Sequence, residues 1–321
     1  MSSVRPATHA GSWYSSSPAL ITTLQQLLSR DEAVPGTKHL ISPHAGYKYC
    51  GDTMALGYSK LDFTNVKRCI IMGPSHHIYF KNKIQVTSFD EVNTPFGDFK
   101  VDGGLRNELL VGGKVVLMSK EVDMDEHSLE MQFPMLWAAA KLRGVDPTNI
   151  KILPLLVSHN STKVDFELGK LLQKYVDDEE TLFILSSDFC HWGRRFGYTG
   201  YVMESSDIDE SLENDSEVEY LTQRSFNHKS SHNVPIYKSI EILDQYAMDI
   251  LGKNTENKYY DWKKYINVTG NTICGERPIG VFLCAMSLLN KPYQFNWAHY
   301  SQSSQCVDLE DSSVSYASGY F

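Results

Sequence analysis

An α/β domain built on a layered sheet is predicted from three observations. Short, nearly continuous apolar runs recur, the first two of them ended by Pro or Gly turns, helical apolar faces lie between such runs, and the chain carries enough apolar residue to cover a sheet on both sides. The runs are HLIS (His39 to Ser42), RCIIM (Arg68 to Met72), IKILPLLVS (Ile150 to Ser158) and TLFILSS (Thr181 to Ser187). Hydrophobicity that is continuous rather than alternating is what strands covered on both faces require. With 321 residues, 42% hydrophobic and 12% aromatic, the chain can fill such a core as one domain over 1–321.

The elements follow in order. Ser17 and Pro18 read as N-cap and first helical residue, and Ala19, Leu20, Leu24, Leu27 and Leu28 supply an apolar face, which predicts a helix from about Pro18 to Ser29. HLIS and RCIIM then read as buried strands ended by PHAG and GPSHH. FELGKLLQKYV (Phe166 to Val176) is helical and lies between the last two apolar runs. From about Met203 to Asn233 the pattern breaks: SSDIDESLENDSEVE and a polar stretch ending in NHKSSHN offer little apolar surface, so a flexible acidic insertion is expected at 203–233. Ile236, Ile240, Leu243, Ala247, Ile250 and Leu251 restore an amphipathic helix. GVFLCAMSLL (Gly280 to Leu289) reads as a buried helix, with a strand as the alternative that length leaves open. There is no repeat at a 20 to 50 residue period and no dinucleotide or Walker glycine pattern.

Charge and composition narrow the function classes. The net charge of −9, without a cluster of five Lys and Arg, argues against nucleic acid as a partner. The start, MSSVRPATHAGSWYSSS, lacks the basic and apolar regions of a secretory signal, and no run reaches the roughly 18 apolar residues of a membrane span. A soluble cytoplasmic protein, extending to the nucleus and without a membrane partner, is expected. Six cysteines are spread from Cys50 to Cys306 with no CxxC pair, which fits free thiols better than a disulfide framework.

Chemistry concentrates where strands end. HLIS runs into Pro43-His44-Ala45-Gly46, RCIIM into Gly73-Pro74-Ser75-His76-His77, and TLFILSS into Asp188-Phe189-Cys190-His191-Trp192-Gly193. Carboxyl ends of strands in open α/β sheets form the crevice that binds ligands. A single strand-end histidine is usually a surface or hydrogen-bonded residue, but three on similar strand ends point to a shared site. His127 and Glu130 sit at i and i+3, a spacing that serves a metal or proton relay on one helix face, or belongs to an acidic helix start with a solvated face. Cys274, in NTICGERPIG, precedes a buried helix; a thiol there suits a metal ligand or nucleophile, and a packed cysteine is the other reading.

Seven strings together and in order resemble the Memo family, named for mediator of ErbB-driven cell motility. They are HAGSWY (His9 to Tyr14), PHAGYKYCG (Pro43 to Gly51), GPSHH (Gly73 to His77), DEHSLEMQFP (Asp125 to Pro134), SSDFCHWG (Ser186 to Gly193), NTICGERPIGV (Asn271 to Val281) and SSQC followed by DSSVSYASG (Ser303 to Cys306, Asp311 to Gly319). The resemblance implies a layered α/β sheet similar to class III extradiol dioxygenases, which are non-haem iron enzymes. It also implies a metal site of two His and one Cys, carried by motif onto His44, His76 and Cys274. Asp188 and His191 of SSDFCHWG are implied to line the same pocket. Gln132 stands where the family carries a His, and the 203–233 segment is longer than its usual connection.

Two functions follow from the resemblance. In the first, iron or copper held by His44, His76 and Cys274 serves redox chemistry of an oxidase or dioxygenase kind on dioxygen and a small molecule, in a protein tied to signalling and cell motility; His191 acts as acid/base and Asp188 orients a ligand or relays a proton. In the second, a non-enzymatic module uses the cleft to bind phosphotyrosine peptides or signalling proteins, with Arg194, Arg195 and Arg277 beside it.

Overall fold

Four parallel strands form the centre of a nine-stranded sheet in the computed structural model, which describes residues 2–227, 232–289 and 291–321. Side by side they are His39–Ser42, Thr181–Ser186, Arg68–Pro74 and Lys151–Val157, with Leu40 opposite Ile184 and Ile70 opposite both Phe183 and Leu153. Every residue of these strands is buried except Arg68 and Lys151 at two amino-terminal ends. The continuous apolar runs are therefore strands covered on both faces.

The flanks are antiparallel. Ser313–Tyr320 pairs with His39–Ser42 and is itself paired by Asn296–Gln302 and His191–Trp192. On the other side Ile84–Val86 runs antiparallel to Lys151–Val157 and carries Val115–Leu117 parallel to it. The helices Thr162–Val176 and Glu276–Ser287 pack against each other, and Tyr47–Tyr58 packs on Asn296–Gln302 and Ser313–Tyr320. The Gly280 to Leu289 run is thus helical, and the amphipathic pattern after Ile236 is the helix Ile236–Gly252. The first helix covers Leu20–Leu28 and begins two residues after Pro18. Among the described residues, no helix is long and apolar enough to cross a membrane.

The segment expected to be a flexible insertion is largely ordered. Ser205–Asn214 is a helix whose start is capped by Asp207, its carboxylate accepting from the Met203 and Glu204 N–H groups. Glu219–Tyr220 then pairs with Gly200–Tyr201, and Gln223–Asn227 forms a short helix. Composition misled because a few well-placed apolar side chains suffice: Ile208, Val218 and Leu221 are buried. The part of the expectation that falls on 228–231 lies outside the described residues.

Candidate metal centre

Because the four central strands are parallel, their carboxyl ends share one edge of the sheet, and the histidines that follow them meet there. His44 leaves the His39–Ser42 strand and is 1% exposed, and His76 follows the Arg68–Pro74 strand at the solvent side. His127 starts the helix His127–Glu130 and completes the group. One ligand nitrogen from each of His44, His76 and His127 falls within 4.8 Å of the others. Gly73 allows this approach, since a Cβ there would lie 2.5 Å from Ser128 Oγ on the helix that carries His127. The His76 and His127 rings stack at 4.3 Å, and Trp13 covers His127 at 4.4 Å.

Hydrogen bonds determine what these rings offer. Glu126, 1% exposed, accepts from His76 Nδ1 through Oε1 and from the His76 N–H through Oε2, both at 2.8 Å. Burial pushes the Glu126 carboxyl up, but the hydrogen bonds and charge of His76 and the Ser128 N–H outweigh it and hold it at about 2. His76 is left with Nε2 as its free nitrogen. Ser186 Oγ lies 2.8 Å from His44 Nδ1, which leaves Nε2 to face Cys274. Burial, then the neighbouring imidazoles, lower His127 to about 3 and put His44 well below its ordinary value. Neutral imidazoles are the form that binds a transition metal.

Cys274 meets this group from the other side of the chain. Its Sγ lies 3.2 Å from His44 Nε2 and 3.6 Å from the Asp188 carbonyl oxygen. Burial, then Asp188, push its thiol well up, so the proton stays on sulfur in the absence of a cation. Gly275 brings the loop in: a Cβ there would sit 2.3 Å from Ser187 Cβ and 2.7 Å from Ser186 O. The donor chemistry fits a transition metal, with neutral imidazoles close together and a soft thiol within reach of one of them.

Asp188 and His191 lie beside the cluster. Asp188 is 4% exposed and accepts the His44 N–H at 2.8 Å, so it fixes the backbone of the first histidine. Its carboxyl is raised by burial, against the opposing pull of His191. His191 Nδ1 sits between the carbonyls of Phe189 at 2.9 Å and Thr272 at 3.1 Å, and since both only accept, Nδ1 carries the proton and Nε2 is the basic atom. His191, His76 and Cys274 all line one open cleft of about 540 Å³, with Val157, His159, Phe196, Ile266, Ile273 and Arg277.

Other residues singled out in the sequence have different places. Glu130 is outside the three-histidine group: it is fully buried and accepts from Arg5, His9 and Tyr14, so the reading of a solvated acidic helix start is corrected. His77 is exposed, its ring 6.3 Å from that of His127. Arg194 pairs with Glu310 and Arg277 with Glu276 at 2.5 Å, while the Arg195 guanidinium lies 4.4 Å over the Phe196 ring. All six cysteines are free. Sequence reasoning passed over Glu126, Ser186 and Trp13. Glu126 had a signal, a carboxylate immediately before a histidine, whereas the others become visible only once distant segments are folded together.

A histidine-rich, metal-competent cleft at the carboxyl edge of a mixed α/β sheet defines the class of protein. A family model described as Memo-like protein matches residues 5–320. The chain is 48% identical to the MEMO1 family protein MHO1 of Saccharomyces cerevisiae, over 99% of this chain and 98% of that one. It is 38% identical to Protein MEMO1 of Homo sapiens and to Protein MEMO1 of Danio rerio, in each case over 98% of this chain and 96% of the relative. The chain therefore belongs to the Memo-like protein family.

Proposed function

We propose that this protein is a metal-dependent oxidoreductase in which His44 and His76, with His127 and Cys274 as further donors, hold iron or copper. The observation that carries the reading is the convergence of His44, His76 and His127 within 4.8 Å beside an open cleft. When bound, such an ion supplies one-electron redox chemistry, which no side chain of the cleft provides. The dioxygenase-like fold that the family resemblance implies motivates an oxidase or dioxygenase type of reaction.

The chain's own residues do the rest. Glu126 and Ser186 orient His76 and His44, Asp188 anchors the backbone of His44, and Nε2 of His191 takes or returns a proton at the substrate. Val157, Phe196, Ile266 and Ile273 give the cleft apolar walls. His159 in the same lining is held below its ordinary value by burial and then by Arg277, Lys81 and Lys263, which sets basic side chains around this end of the cleft, Arg277 among them paired with Glu276. A small molecule with an apolar body and an acidic group matches both features. In the cell this chemistry is placed in the cytoplasm and nucleus, in the motility signalling for which the family is named.

The test is metal analysis of protein purified anaerobically without added metal, followed by dioxygen uptake with phenolic carboxylates. Stoichiometric iron or copper and substrate-dependent uptake are expected. A protein that binds neither ion in titration would remove the reading.

A further inference from the structure

His44 is the most buried of the clustered imidazoles, and what it offers depends on which ring nitrogen carries its proton. One hydroxyl settles this, because all its hydrogen-bonding directions are taken. Ser186 Oγ, fully buried at the end of the Thr181–Ser186 strand, lies 2.6 Å from the Ser128 carbonyl, 2.8 Å from Gln132 Nε2 and 2.8 Å from His44 Nδ1. The orientation of Gln132 follows from its neighbours. The atom 3.0 Å from the Pro43 carbonyl must donate and is the amide nitrogen, which leaves Oε1 to accept from the Tyr58 hydroxyl at 2.9 Å. The Ser128 carbonyl only accepts, so it takes the single proton of Ser186. Gln132 Nε2 only donates, so it occupies one lone pair. The lone pair that remains faces His44 Nδ1, and an oxygen whose proton is already committed can only accept there.

We propose that Ser186 is a positioning residue whose hydroxyl, held by Gln132 and Ser128, locks His44 in the Nδ1–H tautomer and presents the Nε2 lone pair to Cys274 and the neighbouring imidazoles. Nε2 lies 3.2 Å from Cys274 Sγ, so the ring is already aimed before any ion arrives. Without the hydroxyl, a buried Nδ1–H would have no acceptor, and the ring would gain by moving its proton to Nε2, facing the sulfur. Partners of this kind typically change metal affinity by about 10- to 100-fold. The consequence for metal rests on the proposed metal centre, but the tautomer itself does not.

The experiment is long-range ¹H–¹⁵N correlation NMR on the metal-free protein, with the His44 signals assigned by their loss in His44→Gln. Wild type should show Nδ1 protonated and Nε2 bare. Ser186→Ala should move the population toward Nε2–H and weaken anaerobic iron(II) binding by about 10- to 100-fold, whereas Ser186→Thr, which keeps the hydroxyl, should keep the wild-type tautomer. A wild-type His44 protonated at Nε2 overturns the proposal without recourse to any variant, and so does a folded Ser186→Ala protein with an unchanged tautomer. If the tautomers behave as stated but iron(II) and copper(I) bind to none of these proteins, the positioning role stands and the metal-centre reading fails.

Discussion

Glu126 holds His76 by ring and backbone at once, with two 2.8 Å hydrogen bonds from one fully buried carboxylate. The backbone bond places the histidine at the strand end, and the ring bond decides which nitrogen faces the cluster. A carboxylate in this position also raises the basicity of the nitrogen on the far side of the ring.

Glu126→Gln keeps the shape and removes the charge. Iron(II) affinity is expected to fall by about 10- to 100-fold with the fold retained, measured by anaerobic titration beside a circular-dichroism melt. Unchanged affinity in a folded variant would reduce Glu126 to a structural clamp.

His127 and Cys274 offer atoms of different softness on either side of His44. His127→Ala is expected to weaken iron(II) more than copper(I), and Cys274→Ser to do the reverse, because a thiolate favours copper(I) and a neutral hydroxyl is a poor ligand for it. Replacing Cys274 with Asp should move selectivity toward iron(II). Competition titrations of the folded variants decide between the donors, and equal effects on both ions would contradict the assignment.

His39 predicts a pH dependence away from the site. It is 8% exposed, stacks on Phe321 at 4.2 Å, and is lowered to about 4 by burial, against hydrogen bonds to the carbonyls of Val176 and Phe321. With the folded value below the unfolded one, the unfolded chain binds the proton first, so stability present above about 6.5 is lost as pH falls toward about 4. Asp244, raised to about 6 by burial, contributes in the opposite sense, its stability lost as pH rises through that value. The contribution of His39 is therefore read as a difference: the stability gap between wild type and His39→Gln should shrink by about 3 kcal/mol from pH 7 to pH 4. A gap independent of pH in urea titrations would refute it.

Ile208 tests the ordered part of the acidic segment. It is fully buried on the Ser205–Asn214 helix, and Ile208→Ala should cost about 2–5 kcal/mol. Denaturant midpoints measure this, and a cost within about 0.5 kcal/mol, as at a surface site, would restore the picture of a loose insertion.

Much of the framework was legible because its causes are local. HLIS, RCIIM and TLFILSS announce strands covered on both faces, and Pro43 and Gly73 after the first two announce the turns that carry His44 and His76 to the edge where Asp188 also lies. The acidic segment was misread for the converse reason: its helix depends on one buried isoleucine and a capping aspartate, too little for composition to register.

Sequence alone determined the strands covered on both faces, the strand-end histidines and the family pattern in which Cys274 stands. Tertiary structure decided which groups meet. Glu130, spaced three residues from His127, turned inward to Arg5, 125 residues away, because a buried guanidinium must be neutralised wherever the chain brings it. His127 joined the cluster because a glycine without a Cβ lets its helix press against the strand end. Hydrogen-bond directions at Ser186 arise from Ser128 and Gln132 in one segment and His44 in another, all more than 50 residues away in sequence, and a direction set by three partners exists only after all of them are in place.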